Sequence, residues 1–235
     1  MRALRSLIWK ELSEQAWKLA FGCVLLAGFV AVALETRVAQ DESTVRLTVF
    51  FGALILPILT ATGVVARERE DGDLRCLLSL PVRPSVVFAV KTGVGLAASV
   101  LPLLVAALSV FVLAGDREVP GAVLVVLYAS GGVTAMALFV WTVSLGMFSS
   151  TQAAVGLVGF LVVIISFVLT SLVMTDWHIA APWTPLAPYI EGSMAHHTHV
   201  DAGRWIAAAF AQVPLCGLAW VFALWRFAAA SSKES

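Results

Sequence analysis

Six apolar runs, each long enough to cross a bilayer as a helix, leave this 235-residue chain few folds to choose from. A hydrocarbon core of about 30 Å takes roughly 20 mostly apolar residues at about 1.5 Å each. The runs fall at about 19–35, 47–66, 86–114, 121–148, 152–174 and 205–226. They are continuously apolar, whereas an outer-membrane strand alternates over about ten residues, so helices are expected rather than a barrel. Pro57, Pro102 and Pro214 lie inside the runs, where membrane helices tolerate proline as a kink. The expected fold class is an all-α integral membrane protein, with residues 1–235 forming a single domain.

Composition agrees. Hydrophobic residues make up 60% of the chain and charged residues 13%, about half the share usual in a soluble domain. The mean hydropathy is +0.94. Fifteen basic and fifteen acidic residues cancel, so no overall field favours nucleic acid or an acidic partner. Cys23, Cys76 and Cys216 show no metal-ligand spacing, and Cys23 and Cys216 read as small hydrophobes within apolar runs. Glu11 and Glu14 interrupt the first eighteen residues, which therefore lack the compact apolar stretch of a cleaved signal peptide.

Charge placement sets the expected orientation. With the N-terminus inside, eleven of the fifteen Lys and Arg fall on the inner side, and only Arg37, Arg46, Arg117 and Arg204 fall outside. Both termini are expected in the cytoplasm of a multi-pass protein of the cell (inner) membrane, with 227–235 as a cytoplasmic tail. Residues 1–18 place Leu4, Leu7, Ile8, Leu12 and Ala16 at helical spacing among Arg5, Glu11, Glu14 and Lys18, the pattern of a helix lying on the inner membrane surface. Trp17 and Lys18 are expected to anchor the first span at the interface. The outer segment from Thr175 to Arg204 contains Trp177, Trp183 and Tyr189, suited to the headgroup region, and Pro182, Pro185 and Pro188, which forbid a long helix. Short re-entrant or interfacial helices before the sixth span are the expectation.

The strongly charged stretch is the inner loop after the second run. Arg67, Glu68, Arg69, Glu70, Asp71 and Asp73 surround Gly72, followed by Arg75, the leucines Leu74, Leu77 and Leu78, and then Leu80-Pro81-Val82-Arg83-Pro84. A short amphipathic helix over about 73–79 is expected before the prolines stop it. A solvated loop whose charges only fix topology is the plainer alternative.

An acidic and basic cluster after the second span, then Gly72, the Leu77-Leu78 pair, Leu80-Pro81-Val82 and Lys91, resembles the permease subunits of ABC type-2 transporters. The resemblance covers nearly the whole chain, from surface helix through six spans to the structured outer segment. Asp73 and Arg75 depart from the commonest pattern, where Thr and Glu are frequent. The resemblance implies that two permease subunits, copies or paralogues, pair in the membrane and move a substrate, with the work supplied by cytoplasmic ATPase subunits. It further implies that those subunits, which would hold the ATP and Mg, grip 67–79, with Lys10, Glu11 and Glu14 as a second contact.

No G-x-x-x-x-G-K-[ST] run is present, so ATP hydrolysis is expected in a partner and no cofactor in this chain. No nucleophile elbow points to an enzyme. The alternative function is delivery of heme or a metal ion in a cofactor-maturation system. Its weak candidate ligands are the outer His196, His197 and His199, near His178, Asp176 and Asp201. Lys91, near the inner end of the third run, is expected to anchor by reaching the headgroups, with a salt bridge to the charged loop as the alternative. The lack of buried ion pairs argues against a proton- or sodium-driven carrier. Thr60, Ser99, Ser130, Thr142, Ser144 and Thr170 either line a passage or bond to backbone and neighbouring helices, the commoner use. Gly93, Gly95, Gly131, Gly132, Gly156 and Gly159 permit close helix approach within a subunit first, and at a dimer seam second.

Overall fold

A computed structural model of the chain describes residues 2–35, 42–64, 70, 82–113, 121–149, 151–177, 182–193 and 202–234. Among them are the helices α1 (Arg2–Glu35), α2 (Glu42–Thr62), α3 (Pro84–Leu113), α4 (Gly121–Gly146), α5 (Gln152–Trp177), α6 (Ala187–Ser193) and α7 (Ala202–Glu234), and no strand. Five of these are long and apolar enough to cross a membrane: Val45–Thr62, Pro84–Val112, Gly121–Gly146, Gln152–Val173 and Gly203–Ala229. The protein is thus an α-helical membrane protein. The run expected at 19–35 forms the second half of α1, which does not count among the five.

Local chemistry explains several helix ends. Pro84 opens α3 at a position where its missing N–H is no loss, and the Arg83 carbonyl accepts from Val86 and Val87. Thr151 caps α5, its Oγ1 accepting from the Ala154 amide at 3.3 Å. The prolines at 182, 185 and 188 leave room only for the seven residues of α6, as their spacing suggests. α7 runs on to Glu234 with Phe227 buried, so the stretch expected as a tail continues the last helix.

Close contacts at glycine give the directions of the helices. Glu11 meets Lys91 and Gly22 meets Pro102, so α1 and α3 run parallel. Gly22 meets Leu56 and Gly52 meets Leu26 and Leu103, so α2 returns antiparallel against both. Gly159 meets both Ile58 of α2 and Thr142 of α4, and Gly146 meets Val155, which sets α5 antiparallel to both. Ser144 donates to the Ala219 carbonyl and Phe148 stacks on Phe222, making α7 parallel to α4. The long helices alternate in direction along the chain.

α4 is the centre. Two-thirds of its span (67%) is buried, against 22% for α5 and 17% for α7, and it packs on α2, α3, α5, α6 and α7. One apolar cluster joins Leu26, Val49, Leu56, Leu103, Leu127 and Tyr189 towards the α6 end, and a second joins Leu7, Val64, Phe88, Phe139 and Phe227 at the opposite end. Gly95 lies against Phe139 and Gly131 against Val49, so these glycines serve packing inside the subunit, whereas Gly93 and Gly132 face open space. Small polar residues mostly satisfy themselves locally: Ser99, Ser109, Ser144 and Ser171 donate to carbonyls four residues back.

Candidate functional site at the charged end

One end of the bundle collects the N-terminus of α1, the end of α2, the starts of α3 and α5, and the C-terminal half of α7. Of the Lys and Arg whose side chains are described, Arg5, Lys10, Lys18, Arg83, Lys91 and Arg226 stand towards this end, and Arg46 and Arg204 towards the other. It is also the end from which the charged loop emerges.

α1 differs from the expected surface helix followed by a span. It runs unbroken through Lys18 for 34 residues, about 50 Å, and packs along α3. The buried stripe is Leu7, Glu11, Gln15, Gly22, Leu26 and Val30, a helical ladder that continues across the expected break. The opposite face carries Ile8, Trp9, Leu12, Phe21 and Leu25, all exposed, with Trp9 at 74%. Amphipathicity is therefore inverted in the first half: the polar residues Glu11 and Gln15 point into the bundle, and large apolar residues point out, as suits a helix bordered by lipid.

Glu11 is the deepest consequence. Its carboxylate accepts from the Lys91 ammonium at 2.6 Å, and the two side chains are 2% and 0% exposed. Lys91 stands two turns into α3, roughly 10 Å from Pro84. In this contact its partner comes from α1. The expected lack of buried ion pairs is corrected with it. Burial also withdraws Glu11 from any surface that a partner could grip, leaving Lys10 and Glu14, which pair with each other at 3.7 Å across one turn, on the accessible side.

The polar seam continues along α1. Gln15 is buried and its Oε1 lacks a hydrogen-bond partner among the described residues. Lys18 turns inward and donates to the Leu59 carbonyl at 3.0 Å, placing a cation at the C-terminal end of α2, where the helix dipole favours it. Of the expected anchor pair, only Trp17 faces outward, 63% exposed. Gly63 lies beside this contact, where a Cβ would come within 2.6 Å of Lys18 Nζ and shift the end of the lysine side chain. Deeper still, Thr60 and Ser99 share a hydrogen bond at 2.5 Å between α2 and α3. On the outward side of the seam, a groove of about 460 Å³ runs between α1 and α3, lined mainly by Trp9, Leu12, Ala16, Leu19, Val94 and Leu101.

Within the charged loop, Glu70 is the expected site residue that the structure describes. Its Oε2 accepts from the Gln152 amide at 3.1 Å, adding a carboxylate to the N-terminus of α5. Arg67, Glu68, Arg69, Asp71, Gly72, Asp73, Arg75, Leu77 and Leu78 lie outside the described residues, as does the helix expected over 73–79.

The far end is built on α6. Thr134 Oγ1 accepts from the Tyr189 amide at 3.1 Å, and the Tyr189 hydroxyl donates to the Arg46 carbonyl at 2.7 Å. Burial pushes that phenol up to about 12, against the opposing pull of the Arg46 cation, so it remains a donor. Gln212 Nε2 donates to the carbonyls of Pro182 and Thr184, tying α7 to the segment before α6. His178, His196, His197 and His199 lie outside the described residues, among which no cluster of three metal-ligating side chains occurs.

The pairing of Glu11 with Lys91 escaped the reading of the sequence. The signal was there: Glu11, Gln15, Lys18 and Gly22 recur every three or four residues on one stripe, in register with the apolar span that follows. No family model matches the chain, and no curated protein matches it.

Proposed function

We propose that this chain is the permease subunit of an ATP-binding cassette transporter. It crosses the cell membrane six times with both termini in the cytoplasm, pairs with a second copy or a paralogue, and moves its substrate outward. Separate cytoplasmic ATPase subunits supply the work. The observation that carries this reading is the contact of Glu70 with the start of α5, at the same end as the first turns of α1 and most of the described basic residues. A load placed on the charged loop there reaches the spans directly, and the excess of described Lys and Arg at this end matches the side that positive charge favours. Lys10, Glu14 and the loop from Arg67 to Leu78 form the surface offered to the ATPase. Rigid helices joined at such a loop tilt as bodies rather than bend.

Affinity purification of the tagged chain from its native membrane is the test. A P-loop ATPase is expected to co-purify, and Glu70→Lys or Asp73→Lys is expected to reduce its retention about fivefold, the equivalent of about 1 kcal/mol for a reversed exposed contact. Unchanged retention together with unchanged ATP-dependent transport in both variants contradicts the assignment.

A further inference from the structure

We propose that Glu11 and Lys91 couple α1 to α3, so that the two parallel helices move as one body. The transport reading supplies the source of the load; the joint itself is a property of this chain. Two features single out this pair among the helix contacts.

The first is place. Measured back from Glu35, Glu11 lies roughly 36 Å along α1, and measured back from Leu113, Lys91 lies roughly 33 Å along α3. With the far ends of both helices at the far membrane boundary, the pair stands at the near edge of a hydrocarbon core of about 30 Å, not at its midplane. The turns of α1 that precede Glu11, with Arg5 and Trp9 exposed, then extend past that edge. A force on them meets Lys91 before it meets anything deeper in the bundle.

The second is the kind of contact. Apolar helix faces slide over each other at little cost in lipid, which offers separated surfaces an equally apolar neighbour. A buried ammonium and carboxylate 2.6 Å apart do not slide freely, because each displaced charge is left without its partner away from water. Gly22 against Pro102, eleven residues further along both helices, keeps the same register. The pair is therefore a positional lock, and Glu11 and Lys91 are positioning residues rather than substrate contacts.

The test uses the full-length chain in lipid nanodiscs with its native cysteines replaced. Spin labels are placed at Ser13 of α1 and Leu104 of α3, both exposed. A single narrow distance is expected in the parent protein and in the charge-swapped Glu11→Lys/Lys91→Glu double variant. Glu11→Met/Lys91→Met, which removes both charges and leaves no polar group behind in the pair, controls for folding. It is expected to retain the helical spectrum of the parent, with only a small drop in melting temperature, while the narrow distance is lost. A distance as narrow in the neutral double variant as in the parent reduces the pair to packing and overturns the proposal. So does failure of the swapped variant, once folded, to restore the distance. Neither readout requires an ATPase. Where the distances behave as expected and no ATPase co-purifies, the transport reading fails and the joint stands.

Discussion

Lys91→Met alone is expected to cost about 3–5 kcal/mol of stability, whereas Glu11→Met combined with Lys91→Met costs far less, about 1 kcal/mol or below. The asymmetry follows from what each change leaves behind. With Lys91 gone, the Glu11 carboxylate sits 2% exposed between helices with its cation removed. With both neutralised, the seam is merely less polar, and Met fills much of the volume of the lysine stem. Thermal unfolding in a fixed lipid or detergent, followed by loss of helical signal, separates the two: a large drop in melting temperature for the single variant and a small one for the double. Equal drops would mean that the two side chains act independently, and the paired geometry would be wrong.

The second large effect lies at the α2–α4 seam. Gly131 is packed directly against Val49, so that a Cβ added there collides with the valine side chain, and Ala53 closes the other side. Gly131→Leu is expected to destabilise the bundle by about 1–3 kcal/mol through overpacking, because α2 must move away from the helix at the centre of the core. Gly132 provides the control one residue away. Nothing lies within 4 Å of its added Cβ, so Gly132→Leu is expected to leave stability unchanged or raise it by up to about 1 kcal/mol through helix propensity. Matching losses at both positions would contradict the packing of α4 on α2.

The five long spans were readable because in lipid a helix needs little more than length and continuous apolarity. The expected runs at 47–66, 86–114, 121–148, 152–174 and 205–226 overlap α2, α3, α4, α5 and α7, with ends displaced where a helix continues into polar sequence, as α7 does to Glu234. The short α6 was readable from three prolines. The order of burial was not, because α4 and α5 are about equally apolar and only their neighbours distinguish the centre from the rim. α1 misled for a physical reason. In water, the apolar face of an amphipathic helix turns inward, and Leu12, Ile8 and Ala16 pointed to a helix lying flat on the membrane surface. Against lipid, the rule inverts: Glu11 and Gln15 need protein partners, and the leucines do not. Much the same inversion shapes α5, which turns Gly159, Ser166 and Thr170 inward and Phe160, Leu161 and Ile164 outward. The candidate coupling loop was legible as charge, yet its tie to α5 was not, since Glu70 and Gln152 are far apart in sequence.

Cys76 offers the most direct test that the charged loop faces the compartment of an ATPase. It lies in that loop, and Cys23 and Cys216 can be replaced to leave it as the single thiol. A membrane-impermeant maleimide is expected to label Cys76 in inside-out vesicles and not in intact cells. Labelling from the external face of intact cells would place the loop on the wrong side of the membrane and contradict the proposed coupling to a cytoplasmic ATPase.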